Sequence, residues 1–294
     1  MAAFDRPTDF GCKMSPPVLF TLDLEDHLGR YDSASRYPEV TRRVMSALAE
    51  RAITGTVFTV ARIAEREPAL LREIAALGHE IACHSLDHTP LDKQPPRQLR
   101  QDTARAKGML EDCIGKAVTG FRAPIFSLIE RTAWFVDDLR ELGFTYSSSV
   151  MPTRTPLYGF PGAPELAFKW RNGLVELPCP VGKLAGTTLP YLGGFYLRYV
   201  PQPIINRLLR QASHTSCLWT YCHPYDFDAD EPFARISGAA LWTSVLLWFN
   251  RRNTMRKILN ILAGESSTSL DGWVDRFSHS LPTFDYAPKA AQEL

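Results

Sequence analysis

Four segments of this chain are apolar and β-branched and then stop abruptly in polar side chains, and this repeated edge constrains the fold more than any other feature. Val18 to Leu24 runs into Asp23, Glu25 and Asp26, and Glu80 to Cys83 runs into His84-Ser85-Leu86-Asp87-His88. Val118 to Phe121 delivers Arg122-Ala123-Pro124, and Leu218 to Cys222 delivers His223-Pro224. Helical patterns lie between them. Pro38 opens one in which Val40, Val44 and Leu48 recur on one stripe. Leu70, Leu71, Ile74 and Leu77 form the next face, closed by Gly78, and Gln98–Cys113 and Thr132–Leu142 follow. Thr56 to Val60 and Phe144 to Tyr146 are further strands. Parallel strands need a crossover, and a helix supplies it, so the alternation predicts a parallel α/β sheet or barrel. Side chains just beyond the C-terminal strand ends of such folds share one rim. The four polar groups are therefore expected to meet.

The second half is less regular. Met151 to Pro164 is rich in Pro and Gly and reads as a loop, Leu174 to Leu177 as a strand, and Ala239 to Leu262 as a helix. Without a repeat or a clean boundary, the expectation is one α/β barrel domain with C-terminal elaborations. It divides into an extension over 1–17, a barrel over 18–265 and a tail over 266–294. The 294 residues are 45% hydrophobic and 22% charged, the balance of a soluble globular protein. With 33 basic and 32 acidic side chains the chain carries no polyanion footprint, which argues against nucleic acid as a partner. No apolar run reaches the ~20 residues of a membrane span. The first residues lack a signal-type apolar core, and the six cysteines are scattered, so a cytoplasmic location is expected.

Two imidazoles and a carboxylate make a facial ligand set for a divalent ion, with positions left for water and substrate. A further carboxylate can act as general base, an arginine can orient it, and another histidine can protonate a leaving group. Each motif alone has a plainer explanation. An HxxxH pair fits two surface histidines, an acidic cluster fits a helix N-cap, and Arg-Ala-Pro or His-Pro fits a turn. Their joint placement at four strand ends favours chemistry.

These residues resemble the polysaccharide deacetylases, the NodB-homology or carbohydrate esterase family 4 group. Thr21-Leu22-Asp23-Leu24-Glu25-Asp26 is similar to the first motif, His84-Ser85-x-x-His88 to the second and Gly120-Phe121-Arg122-Ala123-Pro124 to the third. Leu218 to Pro224 is similar to the late histidine motif. Val175 to Pro178, Leu189 to Arg198 and His223-Pro224-Tyr225-Asp226 look like the branch associated with bacterial exopolysaccharide loci.

The resemblance implies a distorted (β/α) barrel and metal-dependent removal of an N-acetyl group from a sugar. It implies Asp23 as base, oriented by Arg122, and His223 as general acid. Asp26, His84 and His88 would be the metal ligands, with Glu25 as the alternative carboxylate. The ion would be Zn2+, with Co2+, Ni2+ or Mn2+ also compatible with such a site. A backbone N–H at Ile125 or Phe126, after Pro124, would stabilise the oxyanion, and Tyr191 and Tyr225 would touch substrate. The expected partner is an N-acetylated sugar or glycan precursor, including a lipid-linked one. Related barrels would instead serve a deformylase or an allantoinase-like amide hydrolase. A non-catalytic glycan-binding homologue is suggested by Ser147, which stands where related sequences carry an aspartate.

Other features have ordinary explanations. Strand alternation turns Cys83 away from His84, and His27, His79, His214 and His279 suit surface or turn roles. Tyr158, Phe195 and Tyr196 lie near Gly/Pro-bearing loops that could stack on sugars or simply pack. Leu241 to Phe249 followed by Asn250-Arg251-Arg252 suits a core helix, or else an interfacial contact at the inner face of a membrane.

Overall fold

The computed structural model describes residues 16–29, 34–213, 216–235, 241–262 and 268–286. Most of the expected 1–17 extension, His214, Ala239 and the end of the tail lie outside the described residues. The first half alternates as β1 (Val18–Leu24), α1 (Tyr37–Ala49), β2 (Gly55–Thr59), α2 (Arg62–Arg66), α3 (Pro68–Ala76), β3 (Glu80–Cys83), α4 (Pro96–Ile114), β4 (Gly120–Phe121), α5 (Phe135–Glu141) and β5 (Tyr146–Ser147). The second half adds β6 (Phe168–Lys169), β7 (Val175–Glu176), the hairpin β8 (Gly182–Leu184) and β9 (Thr187–Leu189), and helices α6 (Gly194–Tyr199) and α7 (Gln202–Gln211). It closes with β10 (Leu218–Trp219), α8 (Leu241–Trp248), α9 (Thr254–Ile261) and α10 (Leu270–Phe277).

One eight-stranded sheet runs β10-β1-β2-β3-β4-β5-β7-β6. Every neighbour pair is parallel except β6–β7. With its helices this curled sheet is the half-barrel expected of the (β/α) class. Strand alternation divides the core into two. Phe20, Leu22 and Leu24 of β1, Val57 of β2, and Ile81 and Cys83 of β3 join the larger cluster, with Val44, Leu48, Leu70, Leu110 and Leu139 of the surrounding helices. Leu19, Phe58 and Ala82 point the other way, into a smaller cluster with Phe126, Tyr146, Leu177 and Trp219. Asp23 shares the face of Leu19, so the first acidic residue is aimed at that inner side.

Two details depart from the sequence pattern. Leu77, expected on the buried face of α3, is exposed, because the helix ends at Ala76 and the chain turns at Gly78, φ +86°. The stretch expected as one helix from Ala239 to Leu262 is broken in its middle. Asn250 adopts a left-handed φ of +61° and Arg251 buries its side chain there, which separates α8 from α9. After the barrel, α10 docks at the N-terminal ends of the strands, where the Leu270 N–H donates to Thr56 Oγ1 at 2.8 Å.

Candidate metal centre and active site

Glu25, His84 and His88 bring one potential ligand atom each within 4.8 Å of one another. His84 follows β3 directly, and its Nδ1 lies 2.8 Å from the Arg122 carbonyl oxygen, which sets Nδ1 as the donor and turns Nε2 to the cluster. Burial holds the His84 imidazole at about 4, against the opposing pull of Asp23, so it is neutral and able to ligate. His88 Nε2 sits 2.6 Å from Glu25 Oε2. Burial pushes the Glu25 carboxyl up, but the charge and hydrogen bond of His88, with His223 behind it, prevail and hold it at about 2. A buried carboxylate and two histidines, one with its tautomer fixed by a carbonyl, fit a divalent cation by donor chemistry.

The expected ligand Asp26 is outside that three-residue cluster. It accepts from the Leu28 N–H at 3.0 Å and from the Ser35 hydroxyl, and lines both the cavity over Glu25 and His88 and the one beside it without joining the ligand cluster. β1 ends at Leu24, and its period carried past that end puts Glu25 on the side of Asp23 and Asp26 on the other.

Backbone strain concentrates here. Of seven described non-glycine residues with positive φ, four are Ser85 and His88 in the histidine loop and Ile125 and Phe126 after Pro124. Ser85 Oγ accepts the His88 N–H at 3.0 Å and so fixes that loop. Strain of this kind persists only where surrounding contacts impose it, and it gathers at functional sites.

Arg122, fully buried, reaches Asp23 Oδ1 at 2.5 Å and Thr21 Oγ1 at 2.9 Å with Nη1. Its Nε and Nη2 donate to the carbonyl and the hydroxyl of Ser148. The guanidinium is sandwiched between Phe58 and Trp219, with ring centroids at 3.8 and 4.3 Å. Asp23 Oδ2 lies 4.0 Å from His84 Nε2, so the paired carboxylate borders the ligand cluster.

His223 borders the same cluster on another edge, with Nε2 3.8 Å from Glu25 Oε1. Its Nδ1 faces Asp226 Oδ2 at 3.2 Å, and Tyr225 stacks on its ring at 4.8 Å and 12°. Burial disfavours the imidazolium, but Asp226 and Glu25 outweigh that and raise it to about 9.

The remaining expected residues divide. Tyr225 lines both a cavity of about 340 Å³ over Glu25 and His88 and a second of about 380 Å³ beside it. Pro124 and Phe126 are buried and Ile125 is exposed. The Phe126 N–H is engaged by the Ala123 carbonyl. Tyr191 is only 1% exposed and sits in the larger core, so its ring offers no face to a sugar, contrary to expectation.

His27, given an ordinary role from sequence, lines both cavities between Tyr225 and Trp248. Ser147 leaves no gap. Its hydroxyl donates to Ser149 Oγ, which accepts the Ala123 N–H, while buried Glu176 accepts the Ser149 and Val150 N–H groups. An acidic residue inside the apolar run Leu174 to Leu177 was the available signal for that role.

Two family models match the chain. Residues 17–147 match the family described as "Polysaccharide deacetylase", and residues 148–275 match a domain of unknown function. A chitooligosaccharide deacetylase of Azorhizobium caulinodans is 32% identical over 89 residues, 30% of this chain and 42% of that protein. One of Sinorhizobium fredii is 31% identical over 88 residues, 30% and 41% of the two chains. The matches thus span less than half of those relatives. Among solved structures, a polysaccharide deacetylase homologue from Mycobacterium smegmatis superposes with a TM-score of 0.61 at 18% identity, covering 99% of both chains. An allantoinase reaches 0.54 at 16% identity, covering 94% of this chain and 99% of its own. At such identities the likeness is one of fold.

Proposed function

We propose, from the match of residues 17–147 to the polysaccharide deacetylase family, that the protein is a metal-dependent hydrolase that removes N-acetyl groups from an amino sugar in surface-polysaccharide or glycan-precursor synthesis. The observation that carries the proposal is the joint geometry: Glu25, His84 and His88 form one cluster, with Asp23 at one edge and His223 at another. Glu25, His84 and His88 would hold the ion, Zn2+ being well suited to two imidazoles and a carboxylate. When bound, the ion polarises the amide carbonyl and lowers the pKa of water.

The chain's own groups do the rest. Asp23, oriented by Arg122, takes a proton from water as the new C–O bond forms at the acetyl carbon. The Ile125 N–H, at the first residue of the strained turn, would donate to the developing oxyanion. His223 then donates a proton to the sugar nitrogen as the C–N bond breaks, leaving acetate and the free amine. The second cavity beside the cluster gives room for a neighbouring sugar ring, with Tyr225 and His27 on its wall.

In the test, the metal-replete protein is offered a panel of N-acetyl sugars, formylated sugars and cyclic ureides. Acetate release is expected from the first class alone, and His84→Ala should lose both the stoichiometric ion and the activity. Turnover of ureides only, or full activity in the variant, would overturn the assignment.

The substrate carrier is proposed to be lipid. No helix among the described residues is long and apolar enough to cross a membrane. Yet α8 exposes Trp242 (66%) with Leu241 and Val245, and Phe249 (61%) follows it, while Leu247 on the same helix lines the mouth cavity. An apolar face beside the cleft suits contact with acyl or polyprenyl chains at a bilayer surface. Trp242→Ser with Phe249→Ser should weaken binding to anionic vesicles severalfold, and unchanged partitioning would sink the idea.

A further inference from the structure

Resting on the assignment of His223 as proton donor, we infer that Asp226, held by Arg198 and the Gly193-Gly194 turn, is a positioning residue that fixes the His223 ring toward the metal cluster. The two carboxylate oxygens differ: Oδ2 is hydrogen-bonded, and Oδ1 has an ion-pair neighbour but no hydrogen bond. Oδ2 accepts the His223 backbone N–H at 2.9 Å and faces its Nδ1 at 3.2 Å. Oδ1 lies 3.4 Å from Arg198 Nε, and both side chains are entirely shielded from solvent. With Nδ1 spent on Asp226, only Nε2 is left to face Glu25 and the site.

The partner arginine is itself anchored. Arg198 Nη1 donates to the Leu247 carbonyl at 2.6 Å, and the Asn250 side-chain amide caps the Arg198 carbonyl. The carboxylate also has a fitted wall. A Cβ on Gly194 would stand 2.1 Å from Asp226 Oδ2, and one on Gly193 would stand 2.2 Å from the Tyr221 ring. The Gly194 N–H donates to the Tyr221 carbonyl at 2.7 Å, which ties this turn to the segment delivering His223.

Gly194 and Arg198 thus face a single carboxylate about thirty residues downstream, and Gly193 makes room for the Tyr221 ring beside it. A buried ion pair is a poor way to stabilise a core, because apolar replacements of similar volume often do as well. Its retention against a histidine of the site calls for another reason, and orientation of that imidazole supplies it. The pair also accounts for the absence of an aspartate at position 147: neither Arg122 nor His223 depends on a carboxylate from that strand.

The test compares Asp226→Asn, Gly194→Ala and Arg198→Met with the wild-type enzyme, reading kcat, KM, bound metal and thermal unfolding. Crystal structures of the folded variants report the His223 ring. Each variant is expected to keep the metal and a KM within about twofold. Each should lose kcat by roughly 100-fold, within the range that a well-placed acid or base contributes, and Arg198→Lys should recover part of it. The crystal structures should show the His223 ring turned or multiply placed, with His84 and His88 unmoved.

A folded Asp226→Asn protein with unchanged kcat, or with its His223 ring in the native orientation, would overturn the inference. Should the wild type release no acetate from any sugar, the functional assignment fails, and ring orientation in the variants still decides the role of Asp226.

Discussion

At the scale of single residues, the pair formed by Asp23 and Arg122 ties chemistry to stability. The guanidinium is shielded from solvent, stacked between Phe58 and Trp219, and spends its donors on Asp23, Thr21 and Ser148. Asp23→Asn keeps the shape but leaves that buried charge without its counter-ion. Losing one partner of a buried pair costs about 3–5 kcal/mol, and the lower end applies because Thr21 and Ser148 remain. The variant should therefore keep its metal, lose most acetate release and unfold at lower urea. Surviving turnover would show that another group is the base. Most of this site was legible from residue type and strand-end position. The choice between Glu25 and Asp26 was not, because similarity to the first motif gave no side-chain direction. Continuing the period-2 alternation of β1 from Asp23 by one step would have selected Glu25.

At the scale of elements, the strands and helices of the first half could be read from sequence because each is a buried apolar run or stripe. The hairpin β8–β9 could not, since its residues are half-exposed and carry no alternation. The break between α8 and α9 was also hidden, because Asn250 adopts a left-handed conformation that only the surrounding contacts reveal. The docking of α10 was equally silent. There Glu80, at the start of β3, accepts from Thr56 Oγ1 at 2.6 Å, Tyr146 Oη at 2.7 Å and the Asp271 N–H at 3.2 Å. His79 and Lys116 line the same small cavity. Burial, aided by the Asp271 charge, pushes the Glu80 carboxyl up from 4.5 to about 8. The sign follows from proton linkage. Below pH 4.5 folded and unfolded chains both hold the proton. Between 4.5 and 8 only the folded chain does, so stability falls with rising pH until it levels above 8. Glu80→Gln removes this dependence, and its unfolding midpoint relative to wild type should rise between pH 5 and pH 8.5. Parallel curves for the two proteins would show that Glu80 titrates normally.

At the scale of the molecule, the boundary between the two matched families falls inside the sheet, immediately after Ser147 of β5. Both sheet edges come from the second segment: β10 pairs with β1 on one side, and β7 with β6 lies beyond β5 on the other. The inner core is shared in the same way. Leu19, Phe58, Ala82, Phe126 and Tyr146 pack with Leu177, Cys179, Trp219, Leu270 and Val274, and Trp219 forms one face of the Arg122 sandwich. His223 and Asp226 also come from the second segment. An independent domain needs a core of its own, and residues 17–147 would leave half of this one open to water, with a buried arginine exposed on one face. Expressed alone, that segment should therefore show no sharp denaturant transition and little amide protection in β1 and β2, whereas residues 16–286 unfold cooperatively. A cooperative transition and stoichiometric metal binding in the shorter chain would mean that residues 17–147 fold by themselves. The second segment would then be an addition to the barrel rather than part of its closure.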